Sequence, residues 1–309
     1  MVVWLLKRIL LVILLAGFAS GIGWFGEHHW LADLANHFRW YYLIAALLGI
    51  VLFSFARKWI WVSIALLVVM LNYPVVSLYG LPKSVATLAF SQKAITVVQV
   101  NVNLNNDDTL TLLQWLQQEQ PDVVAVEEFT PAWAEAFKQL HSLYPYHLEE
   151  PRNGGFGIAL FSRYPIENFQ TLYFGPDKLP SISGMLNWNQ KKVQLVATHP
   201  LPPISRTKAI SRDLQLAELA SWLKHQQKPA ILLGDLNTTP WGHSFYKLIN
   251  TADLFSAREG FGMLPTWPGV IPLIPIDHIL LSKDLKTISV KQGPDIGSDH
   301  LPVIAEVVL

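Results

Sequence analysis

The first 80 residues hold only seven acidic or basic side chains: Lys7, Arg8, Glu27, Asp33, Arg39, Arg57 and Lys58. No other feature restricts the fold so strongly, because long runs without charge must be buried in lipid or in a large core. Three runs reach the length of a bilayer-spanning helix, about 20 residues; they cover 9–25, 40–56 and 59–79. The first also has marks of an export signal, with Lys7-Arg8 ahead of the apolar stretch and small residues at Ala19-Ser20-Gly21. Two more runs follow at once, which favours three retained helices. Buried helices of a soluble bundle would show polar faces, and these do not.

Orientation follows from the basic residues of short loops. Lys7-Arg8 precede the first run and Arg57-Lys58 separate the second from the third, whereas the intervening loop holds one Arg and two acids. The expectation is a multi-pass protein of the cell (inner) membrane, residues 1–80 forming a transmembrane anchor. The amino terminus faces the cytoplasm, and the remainder lies on the periplasmic, extracytoplasmic side. Trp24, Trp30, Trp40, Tyr41, Tyr42, Trp59, Trp61 and Tyr79 stand near the ends of the runs, where amphipathic rings favour the interface.

Beyond residue 80 the composition is that of an ordinary globular domain. Residues 81–92 read as a linker and 93–309 as one domain. Setting aside the five basic and two acidic residues of the anchor, the 23 of each sign leave 18 basic and 21 acidic. That balance, about −3, gives no polybasic face for nucleic acid. The lack of cysteine fits an oxidising exterior without requiring one, since a core this size needs no disulfide.

Strands and helices alternate along the domain, with hairpins between them. The run "ITVVQVNVNL" is a β-branched strand and "DTLTLLQWLQQEQ" has helical spacing; "DVVAVEEF" and "FGIALFSRYPI" are strands, and "GMLNWNQKKVQLVATHP" is a hairpin turning near Asn189-Gln190. A helix over "SRTKAISRDLQLAELASWLKHQQ" precedes the strands "PAILLGDLN", "IPIDHILLS" and "PVIAEVVL". This mixture favours an α/β layered sandwich over a doubly wound parallel sheet.

Several strands carry polar residues at or just past their carboxyl ends. These are Asn101, Glu127-Glu128, His199, Asp235 with Asn237, Asp277-His278, and Ser298-Asp299-His300. Burying so many acids and histidines is costly unless they are paired or bind a metal. Carboxylates and amides without cysteine are hard oxygen donors, suited to Mg²⁺, Mn²⁺ or Ca²⁺. Histidines beside such a cation can bond a phosphoryl oxygen or shuttle a proton, so the inventory points to metal-assisted hydrolysis of a phosphate ester.

In order, "VVQVNVN", "PDVVAVEEF", "GFGIALFSRYPI", "ATHP", "ILLGDLNTTP", "PIDHILLS" and "GSDHLPV" resemble the motifs of the endonuclease/exonuclease/phosphatase superfamily, over residues 93–309. The resemblance implies a four-layer α/β sandwich, two packed mixed sheets flanked by helices. It implies Glu128 as the main Mg²⁺ ligand, with Asn101 and Asp299 beside the metal and Glu127 in place of the usual glutamine. It further implies Asp235 orienting or deprotonating the attacking water, His199 and Asn237 on the phosphate, and His300 as phosphate ligand or acid–base partner, paired with Asp277. His278 should point the opposite way, Arg212 and Gln215 should fix their helix to the sheet, and Glu150 is a candidate partner for His199.

Only a short, proline-braced loop follows His199, and no basic stripe or long DNA-gripping insertion is present. Trp241, Trp267 and "GMLPTWPGVIPLIP" place apolar groups near the expected site, where they can stack on a base, touch lipid or simply pack loops. The substrate expectation is a phosphate ester: nucleic acid first on family frequency, then lipid headgroups, then small soluble esters. The rival from another class is a phosphate-binding sensor without turnover. No protein partner is legible.

Overall fold

The computed structural model describes residues 2–80, 94–226 and 229–309; the expected linker, 81–92, lies outside the described residues. Four helices make the amino-terminal part: α1 (Val2–Gly23), α2 (Trp30–Asn36), α3 (Arg39–Phe55) and α4 (Trp59–Val76). Two of them, α1 and α4, are long and apolar enough to cross a membrane, and there are three spans if α2 and α3, bent by 54°, count as one. The first helix begins at Val2 rather than at residue 9, because Lys7 and Arg8 continue it, Arg8 lying over the Trp4 ring. Ile13, Ala46, Phe53, Ala65 and Val68 pack α1, α3 and α4 together, while Leu11, Phe18, Leu48, Leu67 and Met70 are exposed around them. Such an outward apolar surface suits lipid.

The elements after the helices are β1 (Ile95–Asn101), α5 (Thr109–Glu119), β2 (Val123–Glu127), α6 (Pro131–Phe137), β3 (Tyr146–Glu150), β4 (Ile158–Ser162), β5 (Ile166–Phe174), β6 (Leu179–Trp188) and β7 (Lys191–Thr198). They continue with α7 (Arg206–Lys224), β8 (Ala230–Asp235), α8 (His243–Ala252), β9 (Leu254–Ser256), β10 (Asp277–Ser282), β11 (Lys286–Gln292) and β12 (Val303–Val308). One six-stranded sheet runs β11-β12-β1-β2-β4-β3 and the other β5-β6-β7-β8-β10-β9. Both are mixed, with β1–β2 and β7–β8 parallel and the other pairs antiparallel.

The apolar strands are sandwiched on both faces, which is why they read as continuous runs. In β1, Val97 faces the opposite sheet while Val98 and Val100 meet Leu112, Leu113, Leu116 and Trp133 of α5 and α6. In β8, Ile231 and Leu233 face inward while Leu232 meets Leu216, Leu219 and Phe245 of α7 and α8. The result is the four-layer α/β sandwich.

The domain sits on the ends of the helices. Asp33 of α2 pairs with Arg212 of α7 at 3.0 Å and accepts from the His243 N–H at 2.6 Å. The Tyr41 hydroxyl donates to the Leu273 carbonyl at 2.6 Å, and Glu27 meets Lys247 at 3.1 Å. Trp241, expected near the site, instead packs edge-on against Tyr79, 5.9 Å between centroids, in a cluster with Leu43 and Val76. An aromatic on a loop beside the site strand served the seam between the two parts.

Candidate active site

The polar strand ends gather at one end of the sandwich. Parallel pairing brings the close of β1 beside that of β2, Asn101 opposite Glu127. Antiparallel pairing sets Asp277 opposite Asp235, so Asp277 opens β10 rather than closing it. Likewise Ser298, Asp299 and His300 lie just before β12, which runs antiparallel to β1. For these two segments the expectation of carboxyl ends is corrected: an antiparallel neighbour contributes its start.

Asp235 stands at the middle. Its Oδ1 accepts from the Asn237 backbone N–H at 2.9 Å, while its Oδ2 lies 3.2 Å from Asn101 Nδ2, 3.5 Å from His199 Nε2 and 3.8 Å from His300 Nε2. Gly234 makes this approach possible, since it has φ +157° and a side chain there would press into the Thr198 carbonyl of β7. Asn237, at φ +51°, turns its amide to the Pro200 carbonyl at 3.0 Å and to His199 at 3.4 Å. Left-handed backbone at a non-glycine residue is costly and collects at functional sites.

Glu128 is the second such residue, at φ +58°. That turn lifts its carboxylate out of the strand's alternation, so that it accepts from Asn101 Nδ2 at 3.2 Å and from the Leu104 N–H at 2.7 Å. Glu127 keeps to the alternation and goes inward, fully buried, accepting from Gln99 Nε2 at 2.9 Å. Burial, and after it Asp277, pushes the Glu127 carboxyl well above the usual carboxylate range. Gln99 also donates to Asp277 at 2.9 Å. Sequence reasoning missed this residue; its signal was a polar side chain inside a β-branched strand.

His300 Nδ1 meets Asp277 Oδ2 at 2.9 Å. Burial alone would lower the His300 pKa, but Asp277 and then Asp235 outweigh it and raise it to about 10. Burial works against the Asp277 carboxylate, and His300 overcomes it, leaving Asp277 below its usual value. Asp299, exposed, accepts from Asn103 Nδ2 at 2.7 Å and Trp267 Nε1 at 3.2 Å. His199 lies 5.4 Å from the Phe156 ring, and its Nδ1 has no hydrogen-bond partner among the described residues. Glu150 is not that partner: it accepts from Thr171 on the neighbouring sheet at 2.6 Å.

His278 faces away from the site, its Nε2 2.8 Å from the Thr238 carbonyl. Arg212 does more than fix its helix: it donates to the Asn237 carbonyl at 2.9 Å while holding Asp33. Gln215 reaches Thr198 Oγ1 at 3.4 Å.

Glu128, His199, Asp235, Asn237, Asp299 and His300 line one cavity of about 710 Å³. The carboxylates of Glu128 and Asp235 line it without a sulfur, donors that fit a hard divalent cation, while Asn101 turns its Nδ2 to both and its Oδ1 accepts from the Asn103 N–H at 3.0 Å. Asp235, Asp277 and His300 also lie close enough together to form a candidate metal-binding group.

Carboxylates and imidazoles collected at one end of a two-sheet α/β sandwich define a hydrolase of phosphate esters. The chain belongs to the Endonuclease/Exonuclease/phosphatase family, whose model matches residues 98–300. The family typically uses divalent metals. Solved structures share the fold. TDP2 from D. rerio, complexed with a single-strand DNA product, is 17% identical, covering 71% of this chain and 100% of its own, with a TM-score of 0.59. The human Nocturnin catalytic domain with bound sulfate is 19% identical over 70% of this chain and 94% of its own, with a TM-score of 0.59. Sphingomyelinase C from Streptomyces griseocarneus is 17% identical over 70% and 99%, with a TM-score of 0.50. No curated protein matches the chain.

Proposed function

We propose that this chain is a Mg²⁺-dependent phosphoric ester hydrolase embedded in the cell membrane, Mn²⁺ or Ca²⁺ being alternative cations. The observation that carries the reading is the position of Asp235 Oδ2, which faces Asn101, His199 and His300 together at the floor of a cavity. Glu128, with Asn101 and Asp299, would hold the cation, which when bound supplies Lewis-acid polarisation of a phosphoryl oxygen.

The chain's own groups divide the remaining work. Asp235, anchored through Oδ1, orients a water at Oδ2 and takes its proton as the water oxygen bonds to phosphorus. His300, held protonated by Asp277, hydrogen-bonds a phosphoryl oxygen and can give a proton to the leaving ester oxygen as its bond to phosphorus breaks. His199 and the Asn237 amide complete the cradle for the developing charge.

The test uses the full chain in phospholipid nanodiscs with chromogenic phosphate mono- and diesters. Hydrolysis in Mg²⁺, lost in EDTA and restored by Mg²⁺ or Mn²⁺, is expected. Undiminished turnover in EDTA refutes the metal role, and intact protein that hydrolyses none of the esters is instead a phosphate-binding module. The loop charges support an extracytoplasmic catalytic domain in the inner membrane. A phosphatase reporter fused after Leu309 should then be active, and a cytoplasmic location of that terminus overturns the orientation.

A further inference from the structure

The cavity that holds the catalytic cluster is not built by the sandwich alone. One wall comes from the membrane part, where Trp30, Leu34, His37 and Phe38 of α2 and its carboxyl end line it. The facing wall is apolar too, with Phe156, Pro202, Pro203, Ile204, Trp267 and Ile274. His37 is buried, and its Nε2 has no hydrogen-bond partner among the described residues.

Two of the lining residues, Ile204 and Phe38, are themselves exposed, and the loop between Trp267 and Ile274 and the helix α2 add further exposed apolar side chains. Val270 is 91% exposed, Ile271 69% and Ile204 71%, with Leu31 and Phe38 exposed on the α2 side. Tyr41, at the start of α3, holds the carbonyl of Leu273 in the same loop as Val270 and Ile271. That bond sets the apolar loop level with the helix ends, where a bilayer surface would lie. Exposed apolar side chains gathered beside a cavity mark a surface that meets lipid or a partner, and the link of this loop through Tyr41 to helices apolar enough to cross a membrane selects lipid.

Resting on the phosphate-ester reading above, we propose that the substrate is a membrane-resident phosphate ester whose apolar chain lies between α2 and the 267–276 loop. Its phosphate reaches Asp235, His199 and His300, and its chain leaves the cavity over Ile204 and Phe38 toward the bilayer. The membrane part is then a wall of the substrate site. A nucleic acid duplex needs a wide, cationic, hydrated approach, and this wall offers none.

The experiment compares butyl, octyl and hexadecyl phosphates, and the corresponding 4-nitrophenyl alkyl diesters, with the full chain in phosphatidylcholine nanodiscs and Mg²⁺. Each buried methylene is worth roughly fourfold in binding, so kcat/KM should rise at least about tenfold from butyl to hexadecyl even if few methylenes are gripped. Ile204→Asp and Leu34→Asp should each cut the hexadecyl-to-butyl ratio at least threefold. Ile204 stands on an exposed loop, so its variant carries the test if Leu34→Asp does not fold. A ratio unchanged in the Ile204 variant means that partition into the disc, not the cavity, produced the preference, and overturns the proposal. Equal rates on all chain lengths, or faster cleavage of a single-stranded oligonucleotide, also overturn it while leaving a phosphate ester hydrolase. Failure on every ester, butyl included, instead removes the underlying reading.

Discussion

Two buried polar clusters sit within one molecule, and they are finished to different degrees. At the ends of the helices, Arg39 donates to Asn36 at 2.8 Å, to Asn72 and the Ser20 carbonyl at 3.3 Å, and to the Leu71 carbonyl at 3.2 Å. Asn72 in turn donates to Ser20 Oγ at 2.7 Å and to the Val68 carbonyl at 2.8 Å. These groups complete one another, as apolar surroundings demand. At the strand ends, Asp235 Oδ2 meets its neighbours only at 3.2 to 3.8 Å, and both Glu128 and Asn237 are held in left-handed backbone. A set that closes on itself is architecture. One that remains loose, strained and open to a cavity is arranged for a third party.

The comparison breaks most visibly at Asp235. Asp235→Asn keeps the shape and the Asn237 bond but removes the base, so kcat/KM should fall by roughly 10²–10⁴, measured on a chromogenic ester. Thermal unfolding should stay within a few degrees of the parent, since the amide keeps the acceptor for the Asn237 N–H and Asp277 still pairs with His300. A large drop in unfolding temperature would place Asp235 with the architectural cluster. Arg39→Met should do the reverse. Each orphaned buried acceptor costs roughly 1–3 kcal/mol, so the variant should unfold markedly earlier, while its folded fraction keeps near-parental turnover. Unchanged stability would show that the helix-end cluster is not what it looks like.

The finished and unfinished sets were not equally legible. The strand ends declared themselves because an apolar run stopping at an acid or amide, as at Leu233-Gly234-Asp235, is expensive without a purpose. The turn at Asn189-Gln190 is also where its residues indicated, both with positive φ. Edge strands were hidden. In β5 a register shift between Glu167 and Gln170, with Asn168 at φ +53°, breaks the alternation that a reader counts. Only seven residues long, α2 has too few turns to show a period. Glu127 was legible as an acid but not as a fully buried core residue, because its burial depends on the opposite sheet. Hidden most of all was the seam: Asp33 meets Arg212 across 179 positions of chain, and no local pattern announces such a pair. Residues 1–80, expected to anchor, therefore also build the site.

That pair gives the comparison its finest test, because it joins the two regions. Asp33 takes one hydrogen bond from Arg212 and another from the His243 N–H, and Arg212 in turn holds the carbonyl of Asn237. Asp33→Asn preserves volume and an acceptor for His243 but leaves the buried guanidinium with Asp213 as its remaining carboxylate, 2.8 Å away on a half-exposed side chain. A hydrogen bond between charged groups is worth about 1.5–3 kcal/mol, and Asp213 offsets part of the loss, so the stability change should be about 1–2 kcal/mol. Activity should fall severalfold in kcat/KM, because the turn that presents Asn237 loses one of its braces. Asp33→Asn combined with Arg212→Gln should recover part of the stability, since no unpaired charge then remains at the seam, but not the activity. If the single variant loses stability with turnover untouched, the helices and the catalytic cluster are mechanically independent, and residues 1–80 do not brace the site.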